Sequence, residues 1–391
     1  MIKETLIEKK IDFSPDIKNF DSKINNIVNG ASILVIGGAG TIGSNYIKKI
    51  LKYKPSKLTV VDMNENSLTE LTRDLRSSDL LNYNPKYITY PVNLMSNTFD
   101  KIIKNTEWDI IANFSAHKHV RSEKDKISVE ALIINNVFGA IKLLSICEEN
   151  PPKYFFSVST DKAANPVNIM GASKSLMEKL ILSKKDKFRV STARFANVAF
   201  SNGSLLEGFI NRLNKNQPIS CPSDIKRFFV TPEQSGEICL LATFLGSSGD
   251  IFFPKMDFEK DQIFFKKIAI DFLAANNYQP LTFDCEKKAK NFKINRDGNK
   301  YPVYFFNSDT SGEKSYEEFY TEQDNYDIVT FDSLGVIKSK KINLSFNEVL
   351  NDFNLIFNNE KSTKSGIVRT IKKYVPDFTH LETGKNLDQK M

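Results

Sequence analysis

Three side chains capable of moving protons stand together in the segment SVSTDKAANPVNIMGASK, which spans residues 157–174. Thr160, Asp161 and Lys162 follow the apolar run YFFSVS, which is typical of a buried strand. A neighbouring carboxyl and amine shift each other's pKa, and exclusion of water magnifies that effect. The triplet could therefore supply an acid and a base for proton transfer on a bound molecule.

A methionine and a lysine follow in the same segment at helical spacing. Met170 and Lys174 are four residues apart in a helix predicted after Pro166, so their side chains lie on one face. A thioether neither donates nor accepts a proton at neutral pH, so Met170 can contribute only shape and dryness. Two interpretations are open: Met170 is core filler, or it occupies an altered position of an active site.

The elements that must position these residues alternate along the chain. From Ser32 onward, amphipathic stretches separate the short apolar runs ILVIG, TVVD, YITYPV, DIIANFSA, YFFSVST and VSTARFANV. Continuous apolar strands separated by helices predict a parallel sheet covered on both faces. The predicted fold class is α/β, a doubly wound parallel Rossmann sheet with a smaller C-terminal lobe. Ligands of such sheets bind at the carboxyl ends of the strands, where the triplet falls.

A glycine-rich turn, Gly37-Gly38-Ala39-Gly40-Thr41-Ile42-Gly43, follows the first strand and opens an amphipathic helix. Glycines at these spacings allow a tight turn and a close approach of a pyrophosphate to the helix N-terminus. Asp62 ends the next strand, about 20 residues later, and could accept from ribose hydroxyls. Its carboxylate would repel the 2′-phosphate of NADP, so NAD is the first choice. NADP is the alternative, because Arg73 and Arg76 follow on the next helix.

Three segments are expected along the 391 residues. Residues 1–29 are polar and end at Asn29-Gly30, which predicts a helical arm that stops there. Residues 30–197 form the Rossmann domain that binds NAD, and residues 198–391 form a substrate-binding lobe. Within that lobe, residues 258–311 include the lysine- and asparagine-rich stretch KKAKNFKINRDGNK, expected as a loop or excursion. The lobe ends in an amphipathic helix, SFNEVLNDFNLIF, and an extended tail.

Composition limits the class of protein. The 54 Lys and Arg residues exceed the 47 Asp and Glu residues, but the lysines are scattered along the chain. That distribution favours a solvated surface over a nucleic-acid groove, so no nucleic-acid partner is expected. The four cysteines form no CxxC pair, which predicts neither disulfides nor zinc and fits the cytoplasm. The charged N-terminus and the absence of any run near ~20 apolar residues predict no signal peptide and no membrane association.

Seven blocks of the sequence resemble, in order, those of the nucleotide-sugar 4,6-dehydratases. These enzymes form part of the polysaccharide-biosynthesis branch of the extended short-chain dehydrogenase/reductase superfamily. The blocks are GGAGTIG, NFSAHKHVRSEKD, NNVFGA, STDKAANPVNIMGASK, RFANVAFSNGS, RFFVTPEQ and SGEKSYEEF. The fourth block is the most specific, and methionine in place of the usual tyrosine is a variant seen in the family. The resemblance therefore favours the active-site interpretation of Met170. Thr310 and Ser311 replace the arginine and proline usual before GEK, so Arg296 is a candidate for the missing phosphate contact.

The resemblance implies a UDP-N-acetylhexosamine substrate, UDP-N-acetylglucosamine first, and a 4-keto-6-deoxy product. In that reaction hydride leaves C4, a base removes the C5 proton, an acid protonates the departing C6 hydroxyl, and the hydride returns to C6. By resemblance, Lys162 is the base, Asp161 is the acid and Thr160 positions the sugar oxygen. Lys174 holds the nicotinamide ribose.

The resemblance also implies binding residues. Besides the glycine turn, the expected cofactor contacts are Asp62, Asn93, Ser115, Lys118 and Lys174. The expected substrate contacts are Lys118, His119, Asn197, Ser204 and Arg227, with Arg227 neutralising the diphosphate. Asn136 is expected in the sheet interior or in hydration of the site. No metal is expected, because no third ligand accompanies His117 and His119.

Two other functions stay open. A nucleotide-sugar 4-epimerase uses the same hydride step but needs no C5 base, and it would keep the tyrosine and lack TDK. A non-catalytic cofactor-sensing protein would explain Met170, but it predicts that Asp161 and Lys162 are also lost.

The sequence also predicts assembly. The helices expected at residues 129–149 and 166–184 carry apolar residues on more than one face, more than one sheet surface can cover. The superfamily commonly pairs such helices in a four-helix dimer interface. We therefore expect a homo-oligomer, a dimer or larger, to which the arm before Gly30 could contribute.

Overall fold

The computed structural model of the protein describes residues 11–294 and 298–385. The helices are α1 (Ser14–Val28), α2 (Thr41–Ile50), α3 (Glu65–Ser77), α4 (Asn97–Lys104), α5 (Lys126–Ile133), α6 (Gly139–Glu149), α7 (Ile169–Leu182), α8 (Leu205–Asn214), α9 (Pro232–Phe244), α10 (Phe265–Ala275), α11 (Glu286–Asn291), α12 (Phe346–Phe357) and α13 (Lys364–Tyr374). The strands are β1 (Ser32–Ile36), β2 (Lys57–Asp62), β3 (Lys86–Pro91), β4 (Ile110–Asn113), β5 (Tyr154–Val158), β6 (Val190–Ala193), β7 (Asn197–Val198), β8 (Ile219–Pro222), β9 (Lys226–Arg227), β10 (Phe229–Val230), β11 (Asp250–Pro254), β12 (Ile263–Phe264), β13 (Gln279–Phe283), β14 (Lys300–Phe306), β15 (Tyr326–Asp327) and β16 (Leu334–Lys338).

A nine-stranded sheet forms the centre, in the order β15-β16-β11-β6-β5-β4-β1-β2-β3. The strands from β3 to β11 are parallel, whereas β16 and β15 add an antiparallel edge. The central strands are buried almost throughout, as their apolar runs predict. The predicted α/β Rossmann class is confirmed. The strand order reverses between β1 and β4, which marks the crevice where ligands of such sheets bind.

The sheet takes strands from both sides of residue 197. β11, β15 and β16 come from the segment expected to form the second lobe. A separate three-stranded sheet, β13-β14-β8, packs with α8 and α10 around a core of its own. The stretch expected as a loop or excursion begins with the short helix α11, which packs on β13 and β14. The remaining lobe is therefore smaller and more regular than its lysine-rich sequence indicates.

The N-terminal helix α1 packs on the body of the protein. Its Ile24 and Val28 are fully buried in the core on one face of the sheet. The carboxylate of Asp16 accepts hydrogen bonds from the backbone N–H groups of Asp332 and Ser333, at 2.9 and 2.7 Å. The predicted stop at Asn29-Gly30 is confirmed, and Gly30 adopts a positive φ of 73° there. Residues 1–10 of the expected arm lie outside the described residues.

The C-terminal helices α12 and α13 cover the helices that were expected to meet a second copy. Phe353 of α12 and Ile371 of α13 are fully buried in one core with Leu132 and Leu176. The chain itself therefore buries the surplus apolar faces on which the dimer prediction depended, and the homo-oligomer stays a prediction without that support. The expected extended tail is wrong over α13, where KSGIVRTIKKY presents Ile367 and its neighbours to the core at helical spacing.

One helical run, Lys126–Glu149, is long and apolar enough to cross a membrane by length and composition alone. The expectation that no run approaches this length is therefore wrong. The run comprises α5, a π-helical segment at residues 134–138, and α6. More than half of its most apolar window, 56%, is buried inside the protein. A core helix with such burial passes the same test, so the run alone does not indicate a membrane span.

Candidate active site

A cavity of about 820 Å³ opens at the carboxyl ends of β1, β4 and β5. It brings together all the predicted site residues except Asn93 and Asp161. The predicted residues in its wall are Gly37, Gly40, Thr41, Ile42, Gly43, Asp62, Ser115, Lys118, His119, Thr160, Lys162, Met170, Lys174, Asn197, Ser204 and Arg227. Residues separated by up to 190 positions therefore share one space, because the sheet aligns the strand ends.

The glycine turn has two kinds of glycine. Gly37 has a φ of +70°, and a Cβ there would lie 2.6 Å from the backbone N of Ser115. A Cβ on Gly43 would lie 2.6 Å from the carbonyl O of Gly37. A Cβ on Gly40 would come no closer than 3.5 Å to any protein atom, and Gly40 lines the cavity. Packing therefore requires the first and last glycines, whereas Gly40 leaves open the space beside the N-terminus of α2, where backbone N–H groups attract a phosphate.

Asp62 faces the same end of the cavity. Its two carboxylate oxygens accept from the backbone N–H groups of Ala39 and Asn64, each at 3.0 Å. These bonds fix the carboxylate beside the glycine turn and leave lone pairs for the hydroxyls of a ribose. Neither Arg73 nor Arg76 lines the cavity, and Arg73 is exposed beside Glu70 at 3.7 Å. The negative charge of Asp62 at this end of the cavity suits a ribose without a 2′-phosphate.

Asn93 is not brought to the cavity. It is exposed after β3, and its side-chain oxygen accepts from the backbone N–H of Met95 at 2.7 Å. Its neighbours Val92 and Leu94 line the wall instead. Asn93 thus closes a local turn that presents these two apolar residues.

Lys174 and Met170 both reach the cavity from α7, as the helical spacing predicts. Nζ of Lys174 donates to the carbonyl O of Val158 at 2.7 Å, and burial lowers the pKa of Lys174 to about 8. The backbone N–H of Met170 donates to the buried carboxylate of Glu123 at 2.9 Å. Burial raises the pKa of Glu123 to about 7. Sequence reasoning missed Glu123, although it lies in the SEKD block, because nothing in its local pattern shows that it caps α7.

Asp161 organises the triplet from behind the wall. Its Oδ1 accepts from Oγ1 of Thr160 at 2.8 Å and from the backbone N–H of Lys162 at 2.9 Å. Nζ of Lys162 lies 3.3 Å from the same oxygen. Asp161 is 3% exposed and absent from the cavity wall, whereas Thr160 and Lys162 line it. Lys162 is therefore the charged member of the triplet that reaches the cavity.

A second carboxylate, missed by sequence reasoning, lies beside Lys162. Oε1 of Glu317 is 3.5 Å from Nζ of Lys162 and 3.7 Å from Nη2 of Arg227. Burial alone would lower the pKa of Lys162, but the charges of Asp161 and Glu317 outweigh it, and the pKa is raised above its ordinary value. Burial raises the pKa of Glu317. Glu317 lies in the block SGEKSYEEF, but only the fold shows which glutamate of that block turns inward.

Arg227 lines the cavity, but its guanidinium already has partners. It pairs with Glu313 and donates to the carbonyl groups of Lys226 and Lys314, at 2.8 and 2.9 Å. Arg212, on α8, also lines the cavity and was missed by sequence reasoning. Its buried Nε has no hydrogen-bond partner within the described residues. Arg212 is therefore a better-placed donor for an anion, and Arg296, the other candidate, lies outside the described residues.

The loop after β4 carries Lys118 and His119 to the cavity. Asn136, in the π-helical segment, holds this loop: its side chain accepts from the backbone N–H of His117 at 2.8 Å and donates to the carbonyl O at 3.0 Å. Nζ of Lys118 donates to the carbonyl O of Asn202 at 2.9 Å, and burial lowers its pKa. Asn136 is 1% exposed, so it lies in the protein interior, where it fixes the loop after β4.

The features around the glycine turn fit a dinucleotide. A helix N-terminus, the Asp62 carboxylate and the space beside Gly40 meet there. Further along the same wall, Oγ of Ser159 is buried without a hydrogen-bond partner among the described residues. The basic residues Lys118, Lys174 and Arg212 also line the cavity. The cavity volume is in the upper range of small-molecule sites.

Residues 33–339 match the model of a family described as polysaccharide biosynthesis protein. The sequence is 28% identical to an uncharacterized membrane protein of Methanocaldococcus jannaschii, over 92% of this chain and 99% of the relative. It is 30% identical to a UDP-N-acetylglucosamine 4,6-dehydratase (inverting) of Campylobacter jejuni, over 58% of this chain and 68% of the relative. It is 32% identical to a UDP-glucose 4-epimerase of Rickettsia bellii, over 57% of this chain and 66% of the relative.

Solved structures share the fold. Pen from Bacillus thuringiensis superposes with a TM-score of 0.65 and 22% identity, over 84% of this chain and 98% of that chain. The dTDP-glucose 4,6-dehydratase DesIV from Streptomyces venezuelae, solved with NAD bound, gives a TM-score of 0.55 and 14% identity. The superposition covers 88% of this chain and 97% of that chain. At these identities the likeness concerns the fold alone.

Proposed function

The chain belongs to the polysaccharide biosynthesis family, and on that premise we propose that it is an NAD-dependent UDP-N-acetylglucosamine 4,6-dehydratase. The observation that carries the proposal is Lys162, a cavity-lining lysine that Asp161 and Glu317 hold from behind. Loss of water across C5 and C6 needs removal of the C5 proton and protonation of the departing C6 hydroxyl, and a lysine in the cavity wall can serve both steps through its amine and ammonium forms. The Campylobacter relative supports the substrate class.

The glycine turn, Asp62 and Lys174 would hold the cofactor. NAD supplies, when bound, an acceptor and donor of hydride. Thr160 and Lys174 line the same wall and can pass on the proton of the C4 hydroxyl, which Met170 cannot accept. The lowered pKa of Lys174, about 8, suits such a transfer near neutral pH.

An epimerase is the second candidate, because the Rickettsia relative is a UDP-glucose 4-epimerase. Epimerisation at C4 inverts one carbon and needs no proton transfer at C5. The superfamily tyrosine that serves the C4 hydroxyl is methionine here, whereas the triplet is intact and its Lys162 lies beside the buried carboxylates of Asp161 and Glu317. These residues favour dehydration, and they also argue against a decayed cofactor sensor.

Purified protein supplied with NAD and UDP-N-acetylglucosamine is expected to form a UDP-sugar lighter by one water, without accumulating NADH. Mass spectrometry and absorbance at the NADH band measure the two quantities. A product of unchanged mass that separates as the C4 epimer would replace the proposal with an epimerase. Unchanged substrate across several UDP-sugars, with NAD bound, would favour the cofactor-sensing protein.

Arg212 is expected to bind the substrate diphosphate, because it lines the cavity and its Nε lacks a partner within the described chain. Arg212→Ala should raise KM by about tenfold to a hundredfold, the worth of a charge-assisted hydrogen bond, and change kcat much less. Arg73→Ala is the matched control, since Arg73 is exposed and absent from the wall. Equal KM values for both variants would remove Arg212 from the site.

A further inference from the structure

Glu317 lies behind the cavity wall on the segment between β14 and β15. It is 2% exposed and does not line the cavity, so a substrate in the cavity would not touch it. Its Oε1 lies 3.5 Å from Nζ of Lys162, and its Oε2 is buried without a hydrogen-bond partner in the described structure. Burying a carboxylate oxygen without a hydrogen-bond partner lowers the stability of the folded protein, so such an oxygen calls for a functional explanation.

The two carboxylates beside Lys162 are not equivalent. Oδ1 of Asp161 already accepts from Oγ1 of Thr160 and from the backbone N–H of Lys162. These donors hold Asp161 as the brace of the triplet. Glu317 contacts Lys162 and Arg227 only at ion-pair distances of 3.5 and 3.7 Å. Protonation of Glu317 would therefore break no hydrogen bond that holds the loop.

The charged groups facing Glu317 come from three elements. Lys162 and Asp161 follow β5, Arg227 lies on β9, and Glu313 and Lys314 precede Glu317 on its own segment. Both positive and negative charges surround the pair in a dry environment. In such surroundings an amine with a carboxylic acid competes with an ammonium and a carboxylate, because the uncharged pair avoids the cost of desolvation.

We propose that Glu317 is the proton partner of Lys162: it takes a proton from the ammonium before C5 is deprotonated and returns it after the C6 hydroxyl has left. This inference rests on the proposed dehydration. Glu317 acts through Lys162, as a positioning residue and a proton store behind the cavity. Lys162 could then remove the C5 proton although its neighbours favour the ammonium.

The proton and electron balance closes over the elimination. A proton moves from Nζ of Lys162 to Oε1 of Glu317, which leaves an amine and a carboxylic acid. The amine takes the C5 proton of the 4-keto sugar and gives it to the C6 hydroxyl. The C5–H bond breaks and its electron pair forms the C5=C6 π bond, while the C6–O pair leaves on the oxygen, which departs as water with the transferred proton. Glu317 then returns its proton, so Lys162 is again an ammonium.

The test compares Glu317→Gln with Glu317→Asp and with Glu318→Gln, a matched control at the neighbouring glutamate. Glu317→Gln keeps the shape but cannot accept the proton, so kcat should fall by about 10²- to 10⁴-fold at every pH, with KM little changed. Incorporation of solvent deuterium at C5 should fall in parallel. Glu317→Asp should recover part of the rate, and Glu318→Gln should match the wild type.

A purely electrostatic role gives the opposite result. Removing a carboxylate that raises the pKa of Lys162 would lower that pKa and leave more free amine at neutral pH. The rising limb of the pH profile would then move to lower pH, with kcat kept or increased, and this outcome would overturn the proposal. Bound NAD and the melting temperature show that each variant is folded. If the wild-type protein itself releases no water, the proposed function fails instead.

Discussion

Lys162→Ala is expected to abolish dehydration while the protein keeps its NAD. Lys162 is the charged member of the triplet that lines the cavity, so alanine leaves nothing in its place to move the C5 proton. The rate should fall by at least about 10²- to 10⁴-fold, and C5 exchange with solvent deuterium should disappear. Cofactor content should hold, because the glycine turn, Asp62 and Lys174 are unchanged. Turnover, deuterium incorporation and bound NAD measure the three effects.

Met170 provides the comparison for Lys162. Met170→Ala removes a side chain that is 3% exposed, so it should lower the free energy of unfolding by about 2–5 kcal/mol but cost less than tenfold in rate, since the thioether moves no proton. Met170→Tyr should remain active through a tyrosine and Lys174. If Met170→Ala were as damaging as Lys162→Ala, or if Lys162→Ala kept near wild-type turnover, the base would be misassigned.

Gly40→Ala is expected to weaken NAD binding without unfolding the protein. Gly40 has an ordinary φ of −73°, and the nearest protein atom would be 3.5 Å from the new Cβ, so the methyl group projects into the cavity. A misplaced methyl group costs about 1–3 kcal/mol, so the affinity should fall about tenfold to a hundredfold. Calorimetric titration with NAD and the apo melting temperature separate binding from stability.

Gly366→Ala is the matched control for Gly40→Ala. Gly366 lies in α13, and the nearest atom would be 3.7 Å from its new Cβ, an ordinary contact. It should bind NAD as the wild type does and gain up to about 1 kcal/mol of stability, because alanine favours a helix. Equal NAD affinities for the two variants would place the pyrophosphate elsewhere.

The local sequence pattern predicted those parts of the site that lie at the end of a single strand. A short apolar run and the residues that end it are enough to recognise three features: the strand before the glycine turn, the acidic end of β2 and the triplet after β5. Parallel strands bring their carboxyl ends together, so the sequence alone predicts that Gly37, Asp62 and Lys162 line one cavity.

The missed residues depend on long-range packing. Glu317 reaches Lys162 across 155 positions of sequence, at 3.5 Å, through a segment that has little regular structure. Arg212 lies on an amphipathic helix, and the helical spacing does not show that it lines the cavity. The dimer prediction lost its support in a similar way, because the partner for α5 and α7 is α13 of the same chain. Periodicity shows that a face is apolar and does not show what covers it.

The departure before GEK also has a structural role. Thr310 stands where the family usually has arginine, and Ser311, which stands where it has proline, donates to Glu382 at 2.7 Å through its hydroxyl. The same hydroxyl accepts from the backbone N–H of Thr383 at 3.0 Å, and the backbone N–H of Ser311 donates to the carbonyl O of Lys385 at 3.1 Å. Ser311 therefore holds the C-terminal segment in place by hydrogen bonds, and a phosphate contact has to come from elsewhere in the cavity.

The antiparallel pairing of β16 with β11 joins segments that are separated by residues 255–333. Pairings between distant segments form late, because the entropy of closing the loop is lost before the contacts are gained. Glu313 and Glu317 lie inside this loop, whereas β1 to β6 and the glycine turn come from residues 32–193. As a growing chain leaves the ribosome, we therefore expect the nucleotide pocket to take shape first. Glu313 and Glu317 join Asp161 around Lys162 and Arg227 only after the loop has closed, so the charged cluster should be completed after the glycine turn and its helix are in place.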